Sequence, residues 1–345
     1  MAKEEKKSIE DILKELEKTY GKGSVISGNS IVESNEVIDT GSIGLNHALG
    51  IGGIPKKGKI IEIFGWESSG KSTLCQHIVA NAQKQGVKCL YIDGENSIDS
   101  KYAKAIGVNL DDLLIVQLDE HAGEGAYNKM ERLIESGDIG LVIIDSYNSL
   151  QPKRIVEGEV GDATMGLHAR MQGIAVMKAN TLSQKYGTTF IFLGQLREKI
   201  GVMYGSPETT QGGNALKFYA HLRMQVVRST TKDNSIMNGD EKLGNKVTVK
   251  VIKNKLAPPF TEAVFDIIYG IGIDKIGELL RLGKDCDLIK VRAGVITYGD
   301  QKYKEEDFRS LIEDNPDFMN EIKNKILNAL SNPKKEVENE SVNSV

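Results

Sequence analysis

The eight residues Gly65-Trp66-Glu67-Ser68-Ser69-Gly70-Lys71-Ser72 constrain this chain more than any other segment. They fit the GxxxxGK[ST] pattern, in which a glycine-rich turn aims successive backbone N–H groups at phosphate oxygens. The flanks suit that reading. The apolar run Lys59–Phe64 enters the loop as a strand, and a helical stretch from Lys71 to Gln85 leaves it, stopped by Gly86. The partial positive charge at the helix N-terminus adds to the attraction for an anion. In such a loop Lys71 neutralises the β- and γ-phosphates and the Ser72 hydroxyl ligates Mg²⁺. Gly65, Glu67, Ser68, Ser69, Gly70 and Thr73 complete the candidate nucleotide-binding segment.

A strand–loop–helix of this kind belongs in an α/β fold with a mostly parallel sheet. Lys59–Phe64, Val87–Asp93, Leu141–Asp145 and Thr189–Leu193 are each apolar enough to be buried on both faces. Further on the pattern changes. Leu222–Arg228, Lys246–Lys253 and Ala263–Tyr269 predict an antiparallel extension, since Val247, Val249 and Val251 alternate with Lys246, Thr248 and Lys250. The polar stretch Ser229–Asn245 reads as an exposed turn. The P-loop ATPase core is thus expected over residues 36–269. Residues 1–35 open with an amphipathic helix in which Ile9, Ile12, Leu13, Leu16 and Tyr20 share a face, capped by Ser8 with Asp11 and ended by Gly21 and Gly23. Residues 270–330 read as a small C-terminal α/β domain, and 331–345 as a polar, disordered tail.

Composition bounds the partners. With 44 basic and 48 acidic residues the net charge is −4, so any nucleic-acid site must be a local groove or loop. No apolar run approaches the span of a membrane helix, and the opening MAKEEKKSIE has no apolar stretch behind it to make a signal peptide. Cys75, Cys89 and Cys286 are odd in number and far apart, which fits a reducing cytoplasm. The five histidines are scattered and form no metal-ligand spacing.

Three further positions extend the nucleotide site. The strand Leu141–Asp145 ends in a carboxylate that is placed to hold the Mg²⁺ shell through water. Val87–Asp93 runs into Gly94-Glu95-Asn96, and either Glu95 or Asp93 is a candidate to take a proton from an attacking water. Thr189–Leu193 ends at Gly194-Gln195, where a glutamine can sense a γ-phosphate. Directly after it, Leu196-Arg197-Glu198-Lys199-Ile200-Gly201-Val202-Met203-Tyr204-Gly205 is basic, glycine-containing and apolar together. A loop of that make-up suits DNA: cations meet phosphates, glycines admit the backbone, and an aliphatic side chain can wedge between bases.

Taken together, these residues resemble the RecA family over roughly residues 8–330. The resemblance is carried by Gly21-Lys22-Gly23-Ser24, Gly65–Thr73, Glu157-Gly158-Glu159-Val160-Gly161-Asp162, Lys199-Ile200-Gly201-Val202-Met203, Pro207-Glu208-Thr209-Thr210 and Gly212-Gly213-Asn214-Ala215-Leu216-Lys217-Phe218-Tyr219. It implies a single-stranded-DNA-dependent ATPase that forms helical homo-oligomeric filaments and pairs the strand with homologous duplex DNA, with SOS repressor and mediator proteins as further partners. It also implies roles. Glu95, rather than Asp93, is the catalytic glutamate, and Gln195 couples ATP to the second DNA loop. Asp99 and Tyr102 hold the adenine. Glu157–Gly166 is the first DNA loop, with Met165 and Arg170 at DNA-contacting positions. Arg197, Lys199, Ile200, Gly201, Gly212, Gly213 and Asn214 belong to the second. Lys253 and Lys255 reach a neighbour's ATP, and Phe218 and the N-terminal helix lie at the same subunit interface.

Several residues depart from the family pattern. Trp66 replaces a small residue or proline, Gly194 an asparagine, Asn96 a histidine and Glu198 an apolar residue, and the tail mixes Lys334 and Lys335 with its acids. Two other functions fit the phosphate loop alone. A ring-forming helicase motor would show closed hexamers by electron microscopy, and a non-catalytic DNA-coating protein would release no phosphate. The run around Lys199–Ile200 favours neither.

Overall fold

A computed structural model describes residues 7–27, 36–120, 122–159, 161–162, 164–198, 208–210, 213–229, 235–239 and 241–332. The chain divides into two units, residues 1–35 and 36–345. In the first, α1 (Ile9–Tyr20) begins where expected: the Ser8 hydroxyl accepts from the Asp11 backbone N–H at 3.2 Å, and Gly21 closes the helix on the Glu17 carbonyl.

The second unit runs β1 (Val37–Ile38), α2 (Ile43–Ala48), β2 (Ile54–Pro55), β3 (Ile60–Gly65), α3 (Lys71–Lys84), β4 (Lys88–Asp93), α4 (Ser100–Ile106) and β5 (Leu113–Gln117). It continues with α5 (Ala122–Ile134), β6 (Ile139–Asp145), α6 (Lys153–Val156), α7 (Leu167–Tyr186), β7 (Thr189–Glu198), β8 (Glu208–Thr210), α8 (Ala215–Tyr219) and β9 (Leu222–Arg228). The antiparallel strands follow: β10 (Ser235–Asn238), β11 (Glu241–Asn254), β12 (Thr261–Ile268) and β13 (Gly272–Ile273). The C-terminal elements are α9 (Lys275–Asp285), β14 (Ile289–Arg292), β15 (Val295–Tyr298), β16 (Gln301–Lys304), α10 (Glu305–Asp314) and α11 (Pro316–Ser331).

The main sheet has the order β13-β12-β11-β9-β3-β7-β6-β4-β5. From β9 to β5 every pairing is parallel, and from β9 to β13 every pairing is antiparallel. The parallel strands bury both faces, as their unbroken apolar runs require. Ile61, Ile63, Cys89, Tyr91, Leu141, Ile143, Ile191 and Leu193 pack toward α3, while Leu90, Ile92, Val142, Ile144, Phe190 and Phe192 pack toward α5 and α7. Each such side chain contributes roughly 1.5–3 kcal/mol by leaving water, which is why strands with alternating outward polar residues could not occupy these places. The β11 alternation holds: Val247, Val249 and Val251 are buried and their neighbours are less so.

One expectation is corrected. The stretch Ser229–Asn245 is not a plain exposed turn. Ser235–Asn238 pairs antiparallel with the start of β11, which begins at Glu241, and Asn245 is buried. Backbone pairing with β12, with Asn245 opposite Ile267, extends the ladder into residues too polar to signal a strand.

The C-terminal elements form their own core around Phe308, Ile322 and Ile326, with a three-stranded antiparallel sheet, β14-β15-β16. Their joint to the rest of this unit is specific. Buried Glu278 accepts from the Ser42 hydroxyl at 2.6 Å and from the Ile43 and Gly44 N–H groups at 3.0 Å each, capping α2 from α9. Burial pushes this carboxyl up, and those hydrogen bonds oppose the push. Among the described residues no helix is long and apolar enough to cross a membrane.

Candidate nucleotide site

Strands β3, β4, β6 and β7 deliver their C-terminal ends to one cleft of about 410 Å³, at the sheet edge where open α/β folds bind ligands. Its lining includes Glu67, Ser68, Ser69, Gly70, Lys71, Ser72, Thr73, Glu95, Asp99, Tyr102, Asp145 and Gln195. The sequence-predicted nucleotide residues thus converge, apart from Gly65, Lys253 and Lys255. Gly65 ends β3 at the root of the loop.

The loop keeps its open form through Gly70. This residue sits at the N-cap of α3 with φ 99°, a backbone state that L side chains rarely adopt, and a β-carbon there would strike Ile267. Lys71 is buried, and its ammonium donates to the Trp66 carbonyl at 2.8 Å and the Gly65 carbonyl at 3.2 Å. Burial lowers its pKa, opposed by the charges of Asp145 and Glu95. The Ser69 hydroxyl is buried with no hydrogen-bond partner. A buried orphan donor costs about 1–3 kcal/mol unless something accepts from it, so this wall of the cleft suits a ligand acceptor such as a phosphate oxygen.

Asp145 is buried at the end of β6, where its Oδ2 accepts from the Tyr91 hydroxyl at 2.6 Å. Burial pushes its carboxyl up, opposed first by the Tyr91 hydrogen bond and then by one to Ser72. Ser72 and Asp145 line the same cleft, one with a hydroxyl and one with a carboxylate. This hard-oxygen pair fits Mg²⁺, which keeps several waters and takes its other ligands from phosphates. Among the described residues no group of three or more His, Cys, Asp or Glu could cage an ion. The sheet order adds a detail the sequence did not carry. The acidic strand β6 is not next to β3, because β7 lies between them and places Gln195 at the centre of the site.

The two candidate bases are separated by their partners. Both Asp93 oxygens are taken by backbone, from Ser97 N–H at 3.1 Å and Ile98 N–H at 3.2 Å. Glu95 instead reaches the cleft, where its Oε1 accepts from the Ser146 hydroxyl at 2.7 Å, the Gln195 amide at 2.8 Å and the Ser149 hydroxyl at 3.4 Å. Asp99 caps α4 by accepting from Lys101 and Tyr102 N–H, and the Tyr102 hydroxyl lies 3.2 Å from Thr73 Oγ1. The opposite wall was missed in the sequence. Arg228, Asn245, Val247 and Ile267 come from β9, β11 and β12, Tyr269 and Gly270 from the turn after β12, and the Asn245 amide donates to the Tyr269 hydroxyl at 2.7 Å. The β9–β11 and β11–β12 registers bring Arg228, Asn245, Val247 and Ile267 together there.

Lys253 does not line the cleft. Its ammonium donates to the Lys217 carbonyl at 2.7 Å and the Phe218 carbonyl at 3.1 Å, and Lys255 N–H donates to the His221 carbonyl at 2.9 Å. Both sit at the end of β11 beside α8, where the Phe218 ring is exposed. The stems of the two candidate DNA loops meet elsewhere. Met165 is almost wholly exposed just before α7, and Arg170 is exposed in its first turn. A β-carbon on Gly213 would touch Ala169 at 3.4 Å, so the exit of the second loop, with exposed Asn214, lies against the helix leaving the first. Exposed Arg197 lies on β7, which pairs with β8 so that Leu196 faces Thr210. Lys199, Ile200, Gly201 and Gly212 lie outside the described residues, as does most of the tail read over 331–345.

The cleft, the glycine-capped loop and the acidic strand end define a P-loop α/β protein built to hold a nucleotide. The family model for the RecA N-terminal domain matches residues 7–274. The chain is 45% identical over 329 residues to Protein RecA of Campylobacter jejuni, covering 94% of both chains. It is 47% identical over 320 residues to Protein RecA of Porphyromonas gingivalis, covering 92% of both, and 46% identical over 324 residues to that of Bifidobacterium breve, covering 93% and 81%. The chain belongs to the RecA family.

Proposed function

We propose that this chain is an ATP-driven recombinase of recombination and DNA repair, polymerising on single-stranded DNA in the cytoplasm. ATP and Mg²⁺ are its cofactors. ATP occupies the Gly65–Thr73 loop with Lys71 on the β- and γ-phosphates and its base near Asp99 and Tyr102. Ser72, and Asp145 through water, would hold Mg²⁺, which would neutralise charge on the phosphates. Glu95 takes the proton of the attacking water. Lys253 and Lys255 serve a neighbour's nucleotide in trans, in the manner of an arginine finger, so ATP cements adjacent subunits. Phe218 and α1 complete that junction. Met165, Arg170, Arg197, Lys199, Ile200, Gly201, Gly212, Gly213 and Asn214 hold the strand, mostly by its backbone, and leave bases free to pair with a homologous duplex. The filament also supports SOS repressor self-cleavage and is loaded by mediator proteins.

One observation carries this reading. Gln195 donates to Glu95 at 2.8 Å and stands one residue before the Leu196–Thr210 pairing that closes the second loop. A group at the hydrolytic centre is therefore also the foot of the DNA segment. The test is strand exchange between circular single-stranded and linear duplex DNA. Joint molecules should form with ATP and fail without it, and their absence under both conditions sinks the proposal.

A further inference from the structure

The turn after β6 finishes a ladder that its strand leaves short. β6 ends at Asp145, and its last register pair with β7 is Ile144 opposite Phe192. Beyond that point β7 still carries backbone groups on the β6 side, because alternate residues of a strand face the same neighbour. The turn meets two of them in succession. Tyr147 N–H donates to the Leu193 carbonyl at 3.1 Å, and the Asn148 side-chain oxygen accepts from Gln195 N–H at 2.8 Å. The second acceptor is a side chain, standing where a longer β6 would have placed a carbonyl.

The turn that carries this buried asparagine is itself braced. Ser149 N–H donates to the Ser146 carbonyl at 3.1 Å, and the Gln151 amide donates to the Asn148 carbonyl at 3.0 Å. From α7 the Gln172 amide donates to the Tyr147 carbonyl at 2.8 Å. The Tyr147 ring lies edge-on to Phe192, and its hydroxyl is 3.4 Å from Oε1 of Glu62, which is fully buried on β3 and ion-paired with Arg223 of β9. Glycine at 194 makes room for that ring, since a β-carbon there would stand 2.8 Å from the hydroxyl. On the cleft side the same turn gives the Ser146 and Ser149 hydroxyls to Glu95. The Asn148 carboxamide works through its oxygen. Its Nδ2 is buried and has no hydrogen-bond partner among the described residues, so a donor is left unpaired while the acceptor is kept on Gln195.

From this geometry we infer that Asn148 is a positioning residue, whose side-chain oxygen fixes the backbone of Gln195. The Gln195 side chain bonds Glu95 at 2.8 Å, and the next residue, Leu196, pairs with Thr210. Held at its N–H, Gln195 keeps its amide on the hydrolytic centre while the segment beyond it takes up DNA. Without the acceptor that N–H has no partner, and the chain at Gln195 rearranges to find one. The inference rests on the proposed DNA-dependent ATPase and deepens it, by naming what holds the coupling glutamine. A chain of contacts is not by itself a coupling, so the test measures one.

The readout is ATP hydrolysis with and without single-stranded DNA, beside affinity for a non-hydrolysable ATP analogue. Asn148→Leu removes the acceptor at similar size. Asn148→Asp keeps an oxygen for Gln195 N–H and gives up only the unpartnered Nδ2. In Asn148→Leu the DNA-stimulated kcat should fall by about ten-fold or more, since small misplacements at a reacting centre are costly. The KM for ATP and the analogue affinity should stay within about two-fold of wild type, as expected when ground-state binding is untouched. Asn148→Asp should keep DNA stimulation within about two-fold of wild type. A merely structural role predicts the opposite order, because a buried carboxylate is tolerated less well than leucine. Stimulation in Asn148→Leu close to wild type, or a loss in Asn148→Asp as large as in Asn148→Leu, overturns the inference. If Asn148→Leu does not fold, Asn148→Ala takes its place in the same comparison. Wild-type hydrolysis that does not respond to single-stranded DNA overturns the proposed function itself, and this inference with it.

Discussion

Replacing Glu95 by glutamine isolates the hydrolytic step from everything else in the cleft. Three donors converge on its Oε1: Ser146, Gln195 and Ser149. A glutamine keeps an oxygen that can accept all three, so the turn at 146–149 and the foot of the second loop should stay in place. The change removes the charge and the proton-accepting power alone. A positioned general base contributes about 10²–10⁴-fold, or roughly 3–5 kcal/mol of barrier. Phosphate release on single-stranded DNA should fall by that factor. Affinity for a fluorescent ATP analogue should hold or rise, since a negative charge near the γ-phosphate is gone. The filament made by the variant should therefore form with ATP and persist. Hydrolysis within ten-fold of wild type, in a variant that binds the analogue normally, would place the base elsewhere. Asp93 is no substitute in the present geometry, since both of its oxygens accept from backbone N–H groups.

Gln195→Ala should leave analogue affinity within about three-fold while abolishing the stimulation of hydrolysis by single-stranded DNA; undiminished stimulation, read by phosphate release, removes Gln195 from the coupling. Arg223→Met leaves Glu62 charged and fully buried, a loss expected to cost about 3–5 kcal/mol, whereas Glu62→Met with Arg223→Met should recover much of it; urea midpoints measure both, and an unchanged single variant refutes the ion pair as a structural element. His77 gives a pH test. Its Nε2 accepts from Ile273 N–H at 2.9 Å, and burial, then the charges of Lys275 and Lys84, lower its pKa to about 3. The unfolded chain binds the proton first, near pH 6.5, so the stability His77 contributes is whole above that pH and is lost as pH falls toward 3. Between pH 7 and 5 the loss should be about 2 kcal/mol, and His77→Gln, which keeps an acceptor but does not titrate, should lack that part of the slope; equal pH slopes in urea unfolding refute it.

How much of this could be read in the sequence depended on whether the signal was local. Gly65–Ser72, the apolar strands and the Ser8 cap are written in contiguous residues, and they fold as read. The wall from the antiparallel strands is not. Asn245 sits in a polar stretch that resembles a turn, and it reaches the cleft only because it stands opposite Ile267 and beside Tyr269. Glu62 sits in the middle of an apolar run, and nothing nearby in sequence announces Arg223 as its counter-ion, 161 residues away. Gly194 was legible only as an oddity. Its meaning needed Tyr147, which lies in the turn after β6 and gives no periodic signal.

The sheet order gives these long-range facts a common cause. Local chemistry pairs a phosphate loop with an acidic strand end, and the shortest arrangement would set β6 directly beside β3. Here β7 is inserted between them, and it continues past Gln195 to Glu198, at the start of the candidate DNA segment. The strand whose end lies between the Lys71 and Asp145 sides of the cleft is thus the one whose prolongation leads toward the proposed DNA grip. A shift of β7 along its axis when a γ-phosphate engages Gln195 would move Leu196 and Thr210 together, because the ladder binds them. Tyr147 and Asn148 hold β7 from the β6 side, through Tyr147 N–H on the Leu193 carbonyl and the Asn148 side-chain oxygen on Gln195 N–H. Coupling between nucleotide and DNA then needs no distant hinge. On the proposed function it would follow from which strand occupies the middle of the site, and would be lost in a chain where β6 and β7 exchanged places even if every residue of the phosphate loop were kept.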